Sequence, residues 1–420
     1  MTEPLRLEWL LSDTQLGWLV TAFTLLYAVV GLPLGRLADT WRRTFILSTG
    51  LALWSGLTFL SGFSRGFWQL FAARMGVGIG EASCAPAATS LLGDLYHPHE
   101  RARAMSIFML GLPVGVSLSY LVGGVIAQHY GWRAVFYIAG LPGLILALAA
   151  LFLREPARGQ SEDAMAGAGR RPGSPILLVL GIPTMRWIIL SGLLHNFVMY
   201  AFTFFLPAFL VRYHGTTVQM AGLVSALVVG IVGALGMLAG GWLGDAARRR
   251  WQQGRMLIAA AAVLLAAPAG LCALLMPSGS LVAFILLQGI AAFLMYTYYP
   301  TVYATIHDVI EPTLRGRAMA VYFFAMYMLG ASMGPVVTGR LSDYFGHRAA
   351  TLAGLAYSEQ FRAQGLHQAM YIIPLLSLIL AAVLFAGART TGNDMARFQS
   401  WMKILNAVSH APGAHPGAGK

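Results

Sequence analysis

Long apolar runs separated by short polar connectors are the main pattern along this chain of 420 residues. A helix needs about 20 residues to cross the hydrocarbon core of a bilayer. Eleven runs reach that length, near residues 14–35, 44–63, 67–92, 102–127, 134–153, 185–211, 218–243, 256–276, 280–308, 316–341 and 368–388. Only helices and closed barrels satisfy their backbone groups in lipid, and runs this long are typical of helices. The pattern therefore predicts an all-α membrane protein with eleven transmembrane helices.

The composition excludes a soluble globular protein. The chain is 57% hydrophobic and 10% charged, whereas soluble domains average roughly 45–50% apolar and 25% charged residues. Cys84 and Cys272 both fall inside apolar runs, where packing is a better explanation than a disulfide. The sequence has no recognisable catalytic triad, phosphate-binding loop or metal-ligand cluster. We therefore expect neither an enzyme nor a bound cofactor or metal.

The net charge of +12 comes from arginines in the connectors and predicts no nucleic-acid partner. Most of these arginines, including Arg42, Arg43 and the run Arg248–Arg250, belong to connectors on one side of the predicted bundle. The positive-inside rule assigns that side to the cytoplasm. We expect a multi-pass protein of the bacterial inner membrane, surrounded by the lipid bilayer. Its C-terminus is predicted to be cytoplasmic, and eleven crossings then place the N-terminus outside.

Three short motifs occur twice along the chain, each pair at a similar spacing. SDTQ (Ser12–Gln15) and TTVQ (Thr216–Gln219) both fit a capping box at a helix start. GRLAD and GWLGD each end a predicted helix and lead into arginines, and DLYHPHERARAM matches DVIEPTLRGRAM. In the last pair, Asp94 and Arg103 align with Asp308 and Arg317. The repeats predict two related helical bundles in parallel orientation, as in transporters built from two halves.

The repeats also predict the domain organisation. The first half has five helices and the second has six, because Asp39 follows one helix of its half while Asp245 follows two. We therefore expect that the opening helix is missing, through a misplaced start codon or a truncated gene. The predicted segments are an N-terminal bundle (1–155), a cytoplasmic linker (156–183), a C-terminal bundle (184–389) and a disordered cytoplasmic tail (390–420).

The motifs resemble those of one transporter family. GRLADTWRR (Gly35–Arg43) resembles the loop signature of the major facilitator superfamily, and Arg74, Gly78 and Ala82 resemble its fourth-helix pattern. GVGIGEAS with the following APAATSLLGDLYHPHERARAM is similar to the spinster family of lipid-type transporters and its bacterial relatives. The resemblance implies two pseudo-symmetric bundles of twelve helices in all, of which the first is missing here. It also implies transport by alternating access.

Two charged residues inside the third run are the main candidates for the transport site. Each costs roughly 3 kcal/mol at the bilayer centre, so something must compensate. Arg74 and Glu81 are two helical turns apart, on one face and roughly 10 Å apart along the axis. We predict that Arg74 anchors an anionic head group and that Glu81 is a proton site. The alternative is a buried ion pair that fixes the packing.

Further candidates come from polar and aromatic residues in later runs. His195 and Asn196 lie in the middle of the sixth run and are predicted to border the cavity, with an interhelical hydrogen bond as the alternative. Tyr296, Tyr299 and Tyr303 share a helical face that we predict to contact an amphipathic ligand, with simple packing as the alternative.

A third set of residues is predicted to gate the conformational change. The resemblance implies that Asp39 and Arg43 form a cytoplasmic latch, and the alternative is that the arginines only set the topology. The full predicted gate comprises Gly35, Asp39, Arg43, Asp94, Arg103, Asp245, Asp308 and Arg317.

Taken together, the residues and the resemblance predict a monomeric secondary transporter for an organic anion, which is small or lysolipid-like. With no nucleotide-binding motif, protons are the simplest coupling ion. Two alternatives remain open at this point. One is a proton symporter of small sugar acids or carboxylates, and the other is a non-transporting membrane component or a truncated fragment.

Overall fold

The computed structural model describes residues 2–96, 98–157, 175–311 and 314–409. Most of these residues are helical. The first half contains α1 (Thr2–Trp9), α2 (Asp13–Thr40), α3 (Arg43–Ser61), α4 (Phe67–Glu81), α5 (Cys84–Leu95) and α6 (Pro98–Ala150). The second half contains α7 (Pro175–Leu180), α8 (Pro183–Arg212), α9 (Val218–Ser225), α10 (Gly233–Arg250), α11 (Gly254–Leu274), α12 (Leu281–Tyr296), α13 (Tyr298–Val309), α14 (Arg315–Ala325), α15 (Met333–Ala353), α16 (Glu359–Met370) and α17 (Ile372–Ser409). Two π-helical turns, Ala226–Val232 and Met326–Ala331, join α9 to α10 and α14 to α15.

The eleven predicted crossings all correspond to helices. Within the described residues, 9 helical stretches are by themselves long and apolar enough to cross a membrane. One of them belongs to α6, which contains two of the predicted crossings because the chain breaks at Gly131, where φ is 79° and favours glycine. The crossing predicted at 67–92 is split into α4 and α5, each too short to be counted alone. These two features account for the difference between nine and eleven.

The capping boxes are confirmed at one site and shifted at the other. Ser12 is the N-cap of α2, its hydroxyl accepts from the Gln15 amide, and the Gln15 side chain accepts from the Ser12 amide. In the second half the N-cap is Thr217, whose hydroxyl accepts from the Met220 amide, so the prediction of Thr216 was wrong by one residue. GWLGD also does not end its helix, because α10 continues beyond Asp245 to Arg250 through residues that favour helix.

Two ends of the helical bundle can be distinguished. We call the end that holds Ser12, Arg212 and Asp343 end A, and the end that holds Arg43 and Asp394 end B. The halves meet where α2 packs on α15 and where α6 packs on α9 and its π-helical turn. Glycines permit this close approach: a Cβ on Gly17 of α2 would lie only 2.6 Å from the Pro335 carbonyl oxygen.

Within the first half, Gly76 and Gly80 of α4 pack against α3. A Cβ on Gly80 would lie 2.8 Å from the Trp54 amide nitrogen and 2.9 Å from the Gly50 carbonyl oxygen. Such close approach is typical of small residues between membrane helices. Gly78 likewise lets α4 approach α2, because a Cβ there would lie 2.5 Å from the Phe23 carbonyl oxygen.

Three segments differ from the sequence prediction or extend it. The short helix α1 was not predicted. The tail predicted to be disordered from residue 390 is instead helical, since α17 continues to Ser409, and residues 410–420 lie outside the described part. The helix continues because Asp394 accepts a hydrogen bond from the Thr184 amide at 2.8 Å and Met395 is buried. The predicted linker contains α7, and its residues 158–174 lie outside the described part.

Candidate functional site

Arg74 and Glu81 lie on α4 with both side chains partly exposed. The two charges interact through space, but they form no direct ion pair. Neither side chain makes a hydrogen bond to any residue in the described part of the chain. The Arg74 guanidinium lies over the Phe23 ring of α2, 5.0 Å from its centroid. Among the described residues, Arg74 is thus a cation with an aromatic contact but without an anion in direct contact.

Glu81 is the last residue of α4, where the helix breaks. The chain turns at Ala82 and Ser83, and the Ser83 hydroxyl donates to the Gly80 carbonyl at 2.7 Å before α5 begins. The C-terminal end of a helix dipole disfavours an anion. The break therefore places Glu81 where its ionised form is costly and a donor or a proton would be stabilising.

Three tyrosines that the sequence did not single out lie near Glu81. Tyr27 of α2, Tyr200 of α8 and Tyr327 of the second π-helical turn all lie within electrostatic range of the Glu81 carboxyl. The rings of Tyr27 and Tyr327 are 5.2 Å apart and those of Tyr200 and Tyr327 are 6.3 Å apart. No motif marks these residues, because only the packing of one half on the other brings them together.

The predicted tyrosine face is continuous with this site. Tyr296 contacts Tyr299 with ring centroids 6.1 Å apart, and Tyr299 contacts Tyr303 at 5.8 Å. The series continues from Tyr303 to Phe323 at 5.7 Å and from Phe323 to Tyr327 at 6.5 Å. A chain of partly exposed aromatic rings therefore leads from the second half to the residues around Glu81.

His195 and Asn196 lie inside the second half and are not brought to Arg74. The His195 ring is fully buried, stacks on Tyr298 at 3.9 Å and contacts the Met295 carbonyl through Nε2 at 3.1 Å. The Asn196 amide donates to the Gly192 carbonyl of its own helix at 3.1 Å. These contacts fit a packing role better than direct contact with a ligand between the halves.

End A is closed by a buried ionic network that joins the two halves. Arg212 of α8 donates to Glu3 at 2.5 Å and to Asp13 at 2.8 Å, and all three side chains are buried. Asp13 also accepts from the Ser342 hydroxyl of α15 at 2.6 Å. Charge-assisted bonds in a buried setting hold their partners firmly.

Two further contacts extend the network at end A. Arg6 makes a bidentate pair with Glu359 of α16, with distances of 3.1 and 2.6 Å. The carboxylate of Asp343 accepts from the amides of Asp13 and Thr14 at 3.0 and 2.9 Å, which caps the start of α2 from the other half. Together these bonds close the space between the halves at this end.

The ion pairs at end B have a different distribution. Arg43 of α3 is buried and pairs with Asp94, and its Nε donates to Glu155 at 2.8 Å, all within the first half. Partial burial opposes ionisation of Glu155, but donors on Thr44 and Arg43 outweigh it and lower its pKa to about 2.

The second half repeats this arrangement with its own residues. Arg255 of α11 pairs with Asp308 at 2.5 Å and with Asp245 at 2.6 Å. Asp308 is the repeat partner of Asp94, so the structure places the arginine of each half against the matching aspartate. In the described part of end B, each ion pair stays within one half, in contrast to end A.

The remaining predicted gate residues are only partly described. Gly35 has open space around the position of a Cβ, and the Arg317 side chain is exposed. The side chains of Asp39 and Arg103 lie outside the described residues, so their predicted roles stay predictions.

The sequence analysis missed Glu155 and Arg255, which form ion pairs at end B. The feature that could have identified them is a charged residue placed just where an apolar run begins or ends.

Comparisons with known proteins agree with this architecture. The pattern of the Major Facilitator Superfamily matches residues 2–335. An MFS-type efflux pump of Mycolicibacterium smegmatis is 31% identical over 353 residues, which cover 82% of this chain and 79% of that protein. The sphingosine-1-phosphate transporter SPNS2 of Danio rerio is 27% identical over 421 residues, covering 94% of this chain and 82% of that protein.

A solved structure shows the same fold. It is the crystal structure of a bacterial homologue of the human lysosomal transporter spinster, in an inward-facing and unoccupied conformation. The TM-score is 0.83 and the identity is 29%, with 93% of this chain and 92% of that chain covered.

Proposed function

Because this chain belongs to the major facilitator superfamily and is therefore a membrane transporter and not an enzyme, we propose that it moves an amphipathic organic anion by alternating access. In such a cycle, two related bundles rock around a central site. The tyrosines near Glu81 come from both halves, Tyr27 from the first and Tyr200 and Tyr327 from the second, which supports a site at this junction.

The observation that carries the proposal is the environment of the Arg74 guanidinium, which has no hydrogen-bond acceptor among the described residues. An arginine within a membrane-spanning region is costly unless water, a partner or a ligand compensates it. Arg74 is partly exposed and contacts an aromatic ring, and no acceptor in the described residues bonds its guanidinium. An anionic head group such as a carboxylate or phosphate would accept its paired N–H donors.

The aromatic chain supports an amphipathic substrate. Rings from Tyr296 to Tyr327 would contact an alkyl chain while Arg74 binds the head group. The similarity to a sphingosine-1-phosphate transporter favours a substrate of this general kind, with one charged end and one apolar end.

Glu81 is the proposed proton-coupling residue. A protonated Glu81 leaves Arg74 available for the substrate anion, whereas an ionised Glu81 attracts Arg74 and repels that anion. Substrate binding and proton binding would then favour one another, which is the requirement for coupled transport.

The network that joins the two halves at end A supports an inward-facing state. We propose that end B is cytoplasmic, because arginines concentrate in its connectors, and that the protein lies in a bacterial inner membrane as a monomer. End A, with its cross-half network, is then the closed external side.

A flux assay in proteoliposomes tests the proposal. A fluorescent lysophospholipid and labelled gluconate serve as probes, each with and without an imposed pH gradient. We expect lysophospholipid flux that the pH gradient drives, lost in Arg74→Ala and kept in Arg65→Ala, since Arg65 is an exposed loop residue. Wild-type flux by Arg74→Ala would contradict the anchor role. Flux of gluconate alone would favour the symporter of sugar acids, and flux of neither probe would favour a non-transporting component.

A further inference from the structure

Two histidines of the second half hold the connection between α11 and α12 at end A. His214 lies just after the end of α8, with its Nδ1 2.9 Å from the Ser278 carbonyl oxygen. His367 of α16 has its Nε2 2.7 Å from the Leu274 carbonyl oxygen. Because a carbonyl oxygen only accepts hydrogen bonds, each of these ring nitrogens carries a hydrogen. The two rings therefore fasten the end of α8 and the helix α16 to the same connection.

The second ring nitrogen of His214 is in the state that a neutral ring requires. This Nε2 is buried and has no hydrogen-bond partner in the described part of the chain. In a neutral ring it is an acceptor, whereas protonation would turn it into a buried N–H without an acceptor. An unpaired buried donor is destabilising, and the added charge increases that cost.

The surroundings of the two rings are aromatic. Tyr213 lies 5.1 Å from the His214 ring and 4.3 Å from the His367 ring, between ring centroids. Phe284 lies 4.7 Å from the His214 ring, and the Tyr371 hydroxyl lies 3.2 Å from the His367 Nε2. Among the described residues, the titratable groups that face the rings are thus the two histidines and two tyrosines, and no carboxylate contacts either ring. An aromatic ring is only a weak acceptor for an additional N–H.

Both histidines belong to segments that close end A. His214 is two residues beyond Arg212, which binds two buried carboxylates of the first half. His367 lies on α16, the helix that also carries Glu359, the partner of an arginine in α1. Two anchors of the cross-half network therefore lie on the two segments that the histidines fasten.

We propose that His214 and His367 form a proton-binding site that makes the closure of end A depend on pH. While both rings are neutral, they hold the end of α8 and the helix α16 in place. A proton on His214 leaves its second N–H without an acceptor, so the charged ring moves into water. The segments that carry Arg212 and Glu359 then lose this support, and end A opens. The site goes beyond the proposed function, because it involves none of the residues assigned to substrate binding or coupling.

The direction of the pH dependence follows from the environment of His214. Partial burial lowers the pKa of His214, and His367 acts in the same direction, against the effect of the bonded carbonyl. The closed arrangement therefore takes up a proton less readily than a histidine in water, whose pKa is about 6.5. Closure is fully favoured above that pH and is weakened as pH falls below it.

Double electron–electron resonance tests this site without a substrate. Spin labels are attached to cysteines at the exposed positions Leu7 of α1 and Leu355 beyond α15, and Cys84 and Cys272 are replaced by alanine. The protein is placed in nanodiscs, so that both ends have the same pH. Lowering the pH from about 8 to about 5, the range in which histidine titrates, should shift the wild-type distribution toward longer distances.

Variants of the histidines separate the site from a general effect of acid. His214→Asn combined with His367→Gln keeps an N–H donor at each position but cannot take up a proton. This double variant should keep the closed distribution at both pH values. His129→Gln replaces an exposed histidine at the same end and should respond like the wild type. If the double variant does not reconstitute, His214→Asn alone should lose most of the shift.

Several outcomes would overturn the proton site. They are a wild type without a pH response, a double variant that shifts like the wild type, and a double variant that is already open at the higher pH. A response that is lost in Glu81→Gln but kept in the histidine variants would assign it to Glu81 instead. A failure of substrate flux would count against the proposed transport alone, because these distances are measured without a substrate.

Discussion

At the scale of single residues, two arginines show how differently a cation can be accommodated in this chain. Arg43 is buried, and its guanidinium donates to Glu155, Asp94 and the Pro156 carbonyl. Arg74 is partly exposed, its guanidinium lies over the Phe23 ring, and it makes no hydrogen bond within the described residues. The sequence identified both arginines as unusual. It could not distinguish the structural one from the candidate binding residue, because the partners of Arg43 lie far along the chain.

The ion pair of Glu155 gives a prediction about pH and stability. The pKa of Glu155 in the folded protein is about 2, below its usual value. Its contribution to the free energy of unfolding is therefore present above about pH 4.5 and is lost as pH falls toward 2. Glu155→Gln should lower the free energy of unfolding by about 2 kcal/mol at neutral pH. Thermal unfolding in detergent from pH 7 to acid, with Glu100→Gln as an exposed control, measures this. A difference from wild type that stays constant over the whole range would show that the ionised form of Glu155 contributes nothing.

At the scale of helices, the positions of the crossings were predictable because the length of an apolar run determines whether it can span a membrane. Breaks inside the crossings were not, since Gly131, the turn after Glu81 and the two π-helical turns depend on packing against other helices. The short α1 was missed for another reason. Its buried residues include Glu3 and Arg6, whose charges are compensated by their own ion pair and by partners in the second half.

The contact between α2 and α15 gives a prediction at the same scale. Gly17→Val should force the two helices apart, because even a Cβ at position 17 would overlap the Pro335 carbonyl. Gly31→Val in the same helix is the matched control, as nothing lies within 4 Å of its Cβ position. Spin labels at the exposed positions Leu7 and Leu355 report the separation at end A. An unchanged distance in Gly17→Val would contradict the tight packing.

At the scale of the whole molecule, the main conformational feature of the described residues is the network that joins the two halves at end A. Cross-half bonds close end A, while the ion pairs at the described part of end B each stay within one half. The internal repeat was visible in the sequence and predicted the matching positions of Asp94 and Asp308. The closed end was not predictable, because its residues come from α1, α2, α8, α15 and α16 and have no shared motif.

The network at end A predicts how the conformational equilibrium can be shifted. Arg212→Ala leaves the buried carboxylates of Glu3 and Asp13 without their main partner, a change that typically costs about 3–5 kcal/mol. The closed state at end A should lose population, and the distance between labels at Leu7 and Leu355 should lengthen. Arg348→Ala, an exposed arginine at the same end, should leave the distribution unchanged. Equal distributions in Arg212→Ala and wild type would show that the network does not hold the halves together.

Aqueous access to position 74 is the most direct test of a transport site between the halves. Arg74→Cys, made with Cys84 and Cys272 replaced by alanine, is treated with a charged, membrane-impermeant thiol reagent from each side of sealed vesicles. Alternating access with an inward-facing resting state predicts rapid modification from the side of end B and slow modification from the side of end A. A cysteine at position 74 that stays unmodified from both sides, while an exposed control at Arg249 reacts, would contradict the central role of Arg74.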